Sequence, residues 1–286
     1  MPLSVKDMLN PRRQGQPAIM GVLNVTPDSF ADGGKFLDSV AAIAHARQMA
    51  ADGVDIIDIG AESTRPGSEG VPPSQQIQRL EAILPAVIEL GIPVSIDTTS
   101  AAVASFAADA GAVIINDISA GRSDEEMLPL VASRSLVIVL MHMLGRPKDM
   151  QTAVHYEDVV GEVRDFLAER LSQAQAAGVA IDNCLVDPGI GFGKLLDHNL
   201  ALIAGLSQIV SLGRAVLVGP SRKRFIGQLT DQSEPSDRLP GTLAACLAAW
   251  QRGASILRVH DVRPLADALR VFGAIQQSNA TGHDQV

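Results

Sequence analysis

The sequence predicts a single α/β domain, a (β/α)8 barrel of the TIM type, spanning residues 18–277. A lead-in at 1–17 precedes it and a flexible tail at 278–286 follows. Three observations carry this reading. Eight short apolar runs alternate with eight helix-like stretches, which is the count of such a barrel. Most of the runs are apolar without alternation, as strands covered on both faces are. Polar residues gather where each run ends, and in a barrel those ends share one face. A doubly wound open sheet is the alternative. A chain of 286 residues with no dividing linker suits eight units in one barrel better.

The strand-like runs lie at 18–25, 54–61, 93–99, 113–119, 136–143, 184–190, 215–221 and 256–260. Helix-like segments follow at 38–52, 73–90, 100–110, 124–133, 156–177, 197–211, 238–252 and 261–277. Gly53, Gly91, Gly111, Gly178, Gly213 and Gly253 fall just past six of these helices, the usual place for a C-terminal cap. The first unit sets the pattern for the rest. The apolar run from Ala18 hands over to Asn24, Thr26, Asp28 and Ser29, where Pro27 and Gly33-Gly34 prevent the strand from continuing.

Composition narrows the function classes. Hydrophobic residues make up 47 % of the chain and aromatic ones only 3 %, so the core is aliphatic filling between helices and a parallel sheet. The net charge of -9 argues against a nucleic-acid surface, which needs a basic stripe. It leaves room for an anionic small ligand held by a few local cations. No apolar run approaches the ~20 residues that span a bilayer, and the polar N-terminus has no signal-peptide core. Cys184 and Cys246 are far apart and fit a reduced, cytoplasmic setting.

The run ends supply the chemistry. They offer Asn24; Glu62, Thr64 and Arg65; Asp97; Asn116 and Asp117; Met141 and His142; Asp187; Ser221 to Arg224; and Arg258 with His260. Asp97, Asn116 and Asp187 would converge in the barrel mouth. Carboxylates and an amide suit a flat heterocycle rich in N–H groups. Buried charges need partners, and Lys223 is a candidate cation. Arg65, Ser221, Lys223, Arg258 and His260 form a second set with the character of an anion site, to which Asn24 adds a metal ligand. Arg258 and His260 are two apart and so point to one side of a strand. Arg222 and Arg224 read as a solvated helix face. Gly189 to Lys194 lacks the spacing of either nucleotide-binding loop; its glycines let Phe192 lie against a ring.

Taken together, Leu23-Asn-Val-Thr-Pro-Asp-Ser-Phe30, Glu62-Ser-Thr-Arg-Pro-Gly67, Ser95-Ile-Asp97, Asn116-Asp117, Met141-His142, Asp187-Pro-Gly189, Ser221-Arg-Lys223 and Arg258-Val-His-Asp261 resemble the dihydropteroate synthase family of pterin-binding barrels. The resemblance covers about residues 18 to 275. It implies condensation of 6-hydroxymethyl-7,8-dihydropterin diphosphate with 4-aminobenzoate, release of pyrophosphate, Mg2+ as cofactor, a target of sulfonamides and a homodimer. Carried over, Asp97, Asn116, Met141, Asp187, Phe192 and Lys223 are the pterin-binding set. Asn24, Thr64, Arg65, Arg258 and His260 hold the diphosphate, with Asn24 on the metal. Phe30, Pro66, Phe192, Ser221 and Lys223 surround the aminobenzoate, and the loops at 24–36 and 62–72 close over it. Asp97, Asp187, Lys223 and Arg258 carry the catalysis. Ile190, Ala61 and Leu144-Gly-Arg146 depart from the family's usual residues and bear on the fit of the aminobenzoate pocket. The rival readings are a pterin-binding methyl transferase and an inactive pterin-binding paralogue.

Overall fold

The computed structural model describes residues 15–25, 35–62, 70–145, 148, 150–152 and 154–281. Its eight strands are β1 (Ala18–Asn24), β2 (Ile56–Gly60), β3 (Val94–Asp97), β4 (Ile114–Asp117), β5 (Val137–Met141), β6 (Cys184–Asp187), β7 (Leu217–Val218) and β8 (Ile256–Val259). They pair in parallel in the order β6-β5-β4-β3-β2-β1-β8-β7. A single parallel bridge between Val186 and Val216 joins the two ends, so the sheet closes into a nearly complete barrel. All eight expected strands form, each somewhat shorter than its apolar run. β7 is the shortest because Gly219-Pro220 follows it, and proline has no N–H to give a ladder.

Among the described residues, eleven helices surround the sheet: α1 (Lys35–Ala51), α2 (Pro73–Glu81), α3 (Leu84–Ile88), α4 (Ala101–Asp109), α5 (Met127–Arg134), α6 (Val159–Ala176), α7 (Leu196–Ala204), α8 (Leu206–Val210), α9 (Arg224–Thr230), α10 (Leu239–Trp250) and α11 (Val262–Thr281). The single helix expected at 73–90 is two. Pro85 cannot donate to the carbonyl one turn back, and the chain breaks at Ile83, whose φ is -131°. Gly205 splits the helix expected at 197–211 in the same way. Helix α9 is not among the eight expected segments, although Arg224, read as part of a helix face, opens it, and α11 runs on to Thr281, past the expected end at 277. All six capping glycines adopt the left-handed conformation their positions call for.

Two apolar layers follow from the alternation of strand side chains. Met20, Ile56, Ile114, Val137, Val139, Leu185, Leu217 and Ile256 point inward and plug the barrel floor. Ile19, Ile57, Ile59, Ile96, Ile115, Ile138 and Leu257 point outward and pack beneath the helices. The register then sets the mouth. Asn24 pairs with Gly60, Gly60 with Asp97, and Asp97 with Asn116, a continuous row across four strands. Met141 pairs with Asp187 on the facing wall. Among the described residues, no helix is long and apolar enough to cross a membrane.

Candidate active site

The row at the C-terminal ends of the strands lines one cavity. Asp97, Asn116, Ile118, Met141, Asp187, Ile190, Phe192, Gly219, Lys223 and Arg258 enclose about 330 Å3 of empty space that opens to solvent. All six residues expected to hold a ring are in this wall.

The acids are held unequally. Asp187 Oδ1 accepts from the Gly189 N–H at 2.7 Å. Burial nonetheless pushes its carboxyl up to about 6, against that hydrogen bond and the charges of Lys223, Lys194 and Arg258. Burial also raises Asp97, and the nearby Asp58 and Asp117 charges add to it; the Arg258 guanidinium, whose Nη2 is 2.9 Å from Asp97 Oδ2, opposes them. Asn116 donates from Nδ2 to Asp58 Oδ2 at 3.1 Å, while its Oδ1 is buried with no partner. That orphaned acceptor is aimed for a ligand N–H, since an unpaired buried polar atom costs about 1–3 kcal/mol.

Asp58 is the functional residue the sequence reading missed. Fully buried, it accepts from both Arg258 Nε, at 2.7 Å, and Asn116. It therefore links the ring-binding wall to the cationic one. The signal was available: an acid between Ile57 and Ile59 inside an apolar run, two residues before Gly60 and so on the same inward side.

The cationic wall comes from the ends of β7 and β8. Lys223 places its ammonium 3.9 Å from the centroid of the Phe192 ring. Burial and the Arg258 charge bring its pKa down to about 8. Ser221 Oγ accepts from the His260 N–H and lies 3.0 Å from His260 Nδ1. A serine proton directed to Nδ1 would put the ring hydrogen on Nε2. Burial, then Arg222 and Arg258, push His260 down to about 3, so it is neutral at physiological pH. Ser221, expected beside the aminobenzoate, thus has its hydroxyl engaged with His260.

Arg222 is a correction. It does not form a solvated face but forks onto Asp261, at 2.6 and 3.0 Å, with its own φ at 59°. Arg224 is exposed, as expected. Asp117 builds its turn, accepting from Ser119 N, Ser119 Oγ and Gly121 N. Glu62 likewise holds the far end of the second loop through Val71 N and Gln76. The glycines of the sixth loop do more than make room for Phe192. A β-carbon on Gly189 would stand 2.0 Å from the His142 carbonyl oxygen, and one on Gly191 2.8 Å from Lys223. Both residues have positive φ.

Asn24 ends β1 half-buried, its Oδ1 3.2 Å from where a Gly60 β-carbon would stand. The expected contributions of Phe30, Thr64, Arg65 and Pro66 lie outside the described residues. Among the described residues, no three His, Cys, Asp or Glu gather into a metal-binding cluster.

Comparison with known proteins agrees with this geometry. The family model described as pterin binding enzyme matches residues 20–260. A curated dihydropteroate synthase of Synechocystis is 45 % identical over 258 residues, covering 90 % of this chain and 89 % of its own. The solved dihydropteroate synthase of Xanthomonas albilineans with 4-aminobenzoic acid superposes with a TM-score of 0.86 at 45 % identity, covering 91 % of this chain and 93 % of that one. The same enzyme in complex with 7,8-dihydropteroate gives 0.83 at 43 % identity, with 91 % and 94 % covered. A barrel whose mouth sets acids opposite cations, matched over nine-tenths of its length, belongs to the pterin binding enzymes and, within them, to the dihydropteroate synthases.

Proposed function

We propose that this chain condenses 6-hydroxymethyl-7,8-dihydropterin diphosphate with 4-aminobenzoate to give 7,8-dihydropteroate and pyrophosphate. The observation that carries the reading is the shared cavity of Asp97, Asn116, Asp187 and Lys223, beside the Ser221–His260 and Arg258 donors. The pterin's amino-amidine edge donates to the carboxylates, and its ring lies between Met141 and Phe192. Arg258 and the His260 Nε2–H face the diphosphate. The C–O bond to the leaving pyrophosphate breaks early, and the ring-facing carboxylates favour the resulting pterin methylene cation. The neutral aromatic amine then forms the C–N bond with its lone pair and loses one proton to solvent, so no strong base is required.

Mg2+ fits as a co-ligand of the diphosphate. It is usually held by one or two protein oxygens together with phosphates and waters, and Asn24 offers one such oxygen without an acidic cluster. When bound, it would supply Lewis-acid stabilisation of the leaving charge. Asn24→Ala should then raise the Mg2+ concentration needed for half-maximal rate; an unchanged titration would remove Asn24 from the metal. The function itself is tested by pyrophosphate release, with pterin diphosphate, aminobenzoate and Mg2+ each omitted in turn. Release that needs both organic substrates supports the synthase, and addition of a sulfonamide should suppress it. Pterin binding without release would favour a methyl transferase or an inactive paralogue.

A homodimer is part of the same reading. Leu195, Leu200, Leu229, Val271 and Ile275 are exposed on segments that flank α10. Helix α10, Ala-rich from Leu243 to Trp250, contributes mainly half-buried side chains to that face. Light scattering should give twice the chain mass, and monomeric wild type would sink this part. The buried free thiols of Cys184 and Cys246 support a reduced, cytoplasmic setting.

A further inference from the structure

Lys194 is a buried cation that the chemistry above does not use. Its Nζ is 2.9 Å from His142 Nδ1, 3.0 Å from the Phe192 carbonyl oxygen and 3.4 Å from the His142 carbonyl oxygen. Among the described residues, no carboxylate pairs with it directly. These acceptors belong to two different loops. His142 follows Met141 at the end of β5, and Phe192 lies in the loop after β6. The ammonium therefore ties together two segments that each contribute a side chain to the ring cavity.

The surroundings hold both ends of this tie. The His142 N–H donates to the Asp187 carbonyl oxygen at 3.0 Å. The edge of the His142 ring meets Phe166, at 4.8 Å between centroids, and Arg122 lies over the other side of Phe166. On the loop, Tyr156 Oη donates to the Gly193 carbonyl oxygen and Gln151 to that of Gly191, both at 3.0 Å. Burial, Lys194 and Arg122 together push His142 down to about 3, so its ring is neutral and Nδ1 can accept the lysine proton.

The opposite charge that Lys194 feels is Asp187. Burial, with Lys223, brings the lysine down to about 7 against the upward pull of Asp187. Asp187 in turn faces Lys223, Lys194 and Arg258. Lys223 and Arg258 line the cavity beside it, whereas Lys194 is buried and does not line the cavity.

We propose that Lys194 is a positioning residue for the ring pocket: with His142 as its acceptor it fixes the loop that carries Phe192, and from behind the cavity it supplies a positive charge that keeps Asp187 a hydrogen-bond acceptor for the bound ring. This rests on the reading of Asp187 as a ring-binding group. The experiment compares wild type with Lys194→Met, His142→Leu and His142→Asn. It measures kcat and the KM for dihydropterin diphosphate from about pH 5 to about pH 9, with the Tm of each variant. Lys194→Met should raise that KM about tenfold at neutral pH and move the acid limb of kcat/KM to higher pH, because Asp187 loses a charge that favours its ionised form. His142→Leu should raise KM without moving the acid limb, since the ammonium stays. His142→Asn places an oxygen near the former Nδ1 and should restore most of the wild-type KM. A lower Tm in Lys194→Met with unchanged KM and acid limb would show a structural lysine only and overturn the proposal. So would His142→Asn behaving no better than His142→Leu, a comparison that stands even if Lys194→Met fails to fold. Wild-type pyrophosphate release in the same assay tests the functional reading by itself; with it intact, flat variants count against Lys194 alone.

Discussion

The two walls of the cavity face opposite electrostatic problems. On the β3–β6 wall, burial works against the charged form of Asp97 and Asp187 and raises both. On the β7–β8 wall, burial and mutual repulsion work against Lys223 and His260 and lower both. Each wall thus concentrates like character, and within the cavity Arg258 bridges them, through Asp58 and Asp97. On the proposed function, the difference matches what each wall receives. Acids that are costly to ionise are relieved by a ring edge of N–H donors. Cations crowded together are relieved by a diphosphate. A site with this much uncompensated charge is assembled for ligands rather than for the stability of the empty fold.

The sharpest way to break the contrast is to remove its bridge. Arg258→Met leaves Asp58 and Asp97 buried without their cation, which should destabilise the fold by about 3–5 kcal/mol. Activity should also be lost even where the variant folds. Denaturant unfolding measures the first effect and pyrophosphate release the second; a variant of wild-type stability would show that the two walls are not coupled through this residue.

Asp187→Asn tests one wall alone. It keeps an oxygen for the Gly189 N–H but removes the charge that favours the pterin methylene cation, and should lower kcat/KM on the order of 100-fold. Stability should move the other way. The folded carboxyl titrates near 6, above its unfolded value of about 4. The folded state therefore holds a proton that the unfolded chain releases as pH rises between these values, and stability falls across that window. Asparagine escapes this loss, so Tm should rise by a few degrees at neutral pH and stay level near pH 4. For wild type, turnover should fall as pH drops through about 6, because protonated Asp187 no longer accepts. Equal Tm for the two proteins at neutral pH would mean that burial does not strain this acid.

The same contrast explains what could be read from residue order. Asp97, Asn116 and Asp187 were legible because each stands where an apolar run stops, and the parallel register then places those stops on one face. Arg258 and His260 were legible from their spacing of two. Asp58 was not, because it lies within its run and its reason for being there, the forked contact to Arg258, spans 200 positions of sequence. Lys194 is not singled out because the loop around it reads through its glycines, as failed nucleotide-binding spacing and as room for Phe192. Arg222 was read from its charged neighbours, whereas Asp261, its partner, is 39 residues away. The break at Pro85 was visible in the sequence, but α9 was hidden: seven residues, starting directly after Lys223, carry too little period to separate a helix from a loop.

The gentlest probe sharpens the cationic wall. Ser221→Ala removes the hydroxyl that accepts from the His260 N–H and meets Nδ1. The imidazole keeps its place in the chain but loses the contact that selects which nitrogen carries the proton. If His260 serves the diphosphate as a neutral Nε2–H donor, the KM for dihydropterin diphosphate should rise about fivefold, the worth of one neutral hydrogen bond, with kcat nearly unchanged. No new pH dependence should appear near the ordinary histidine range, because burial and the Arg222 and Arg258 charges hold His260 near 3 in either protein. A Ser221→Ala profile that gains a step near 6.5 would show instead that the serine, and not the buried cationic surroundings, keeps this histidine neutral.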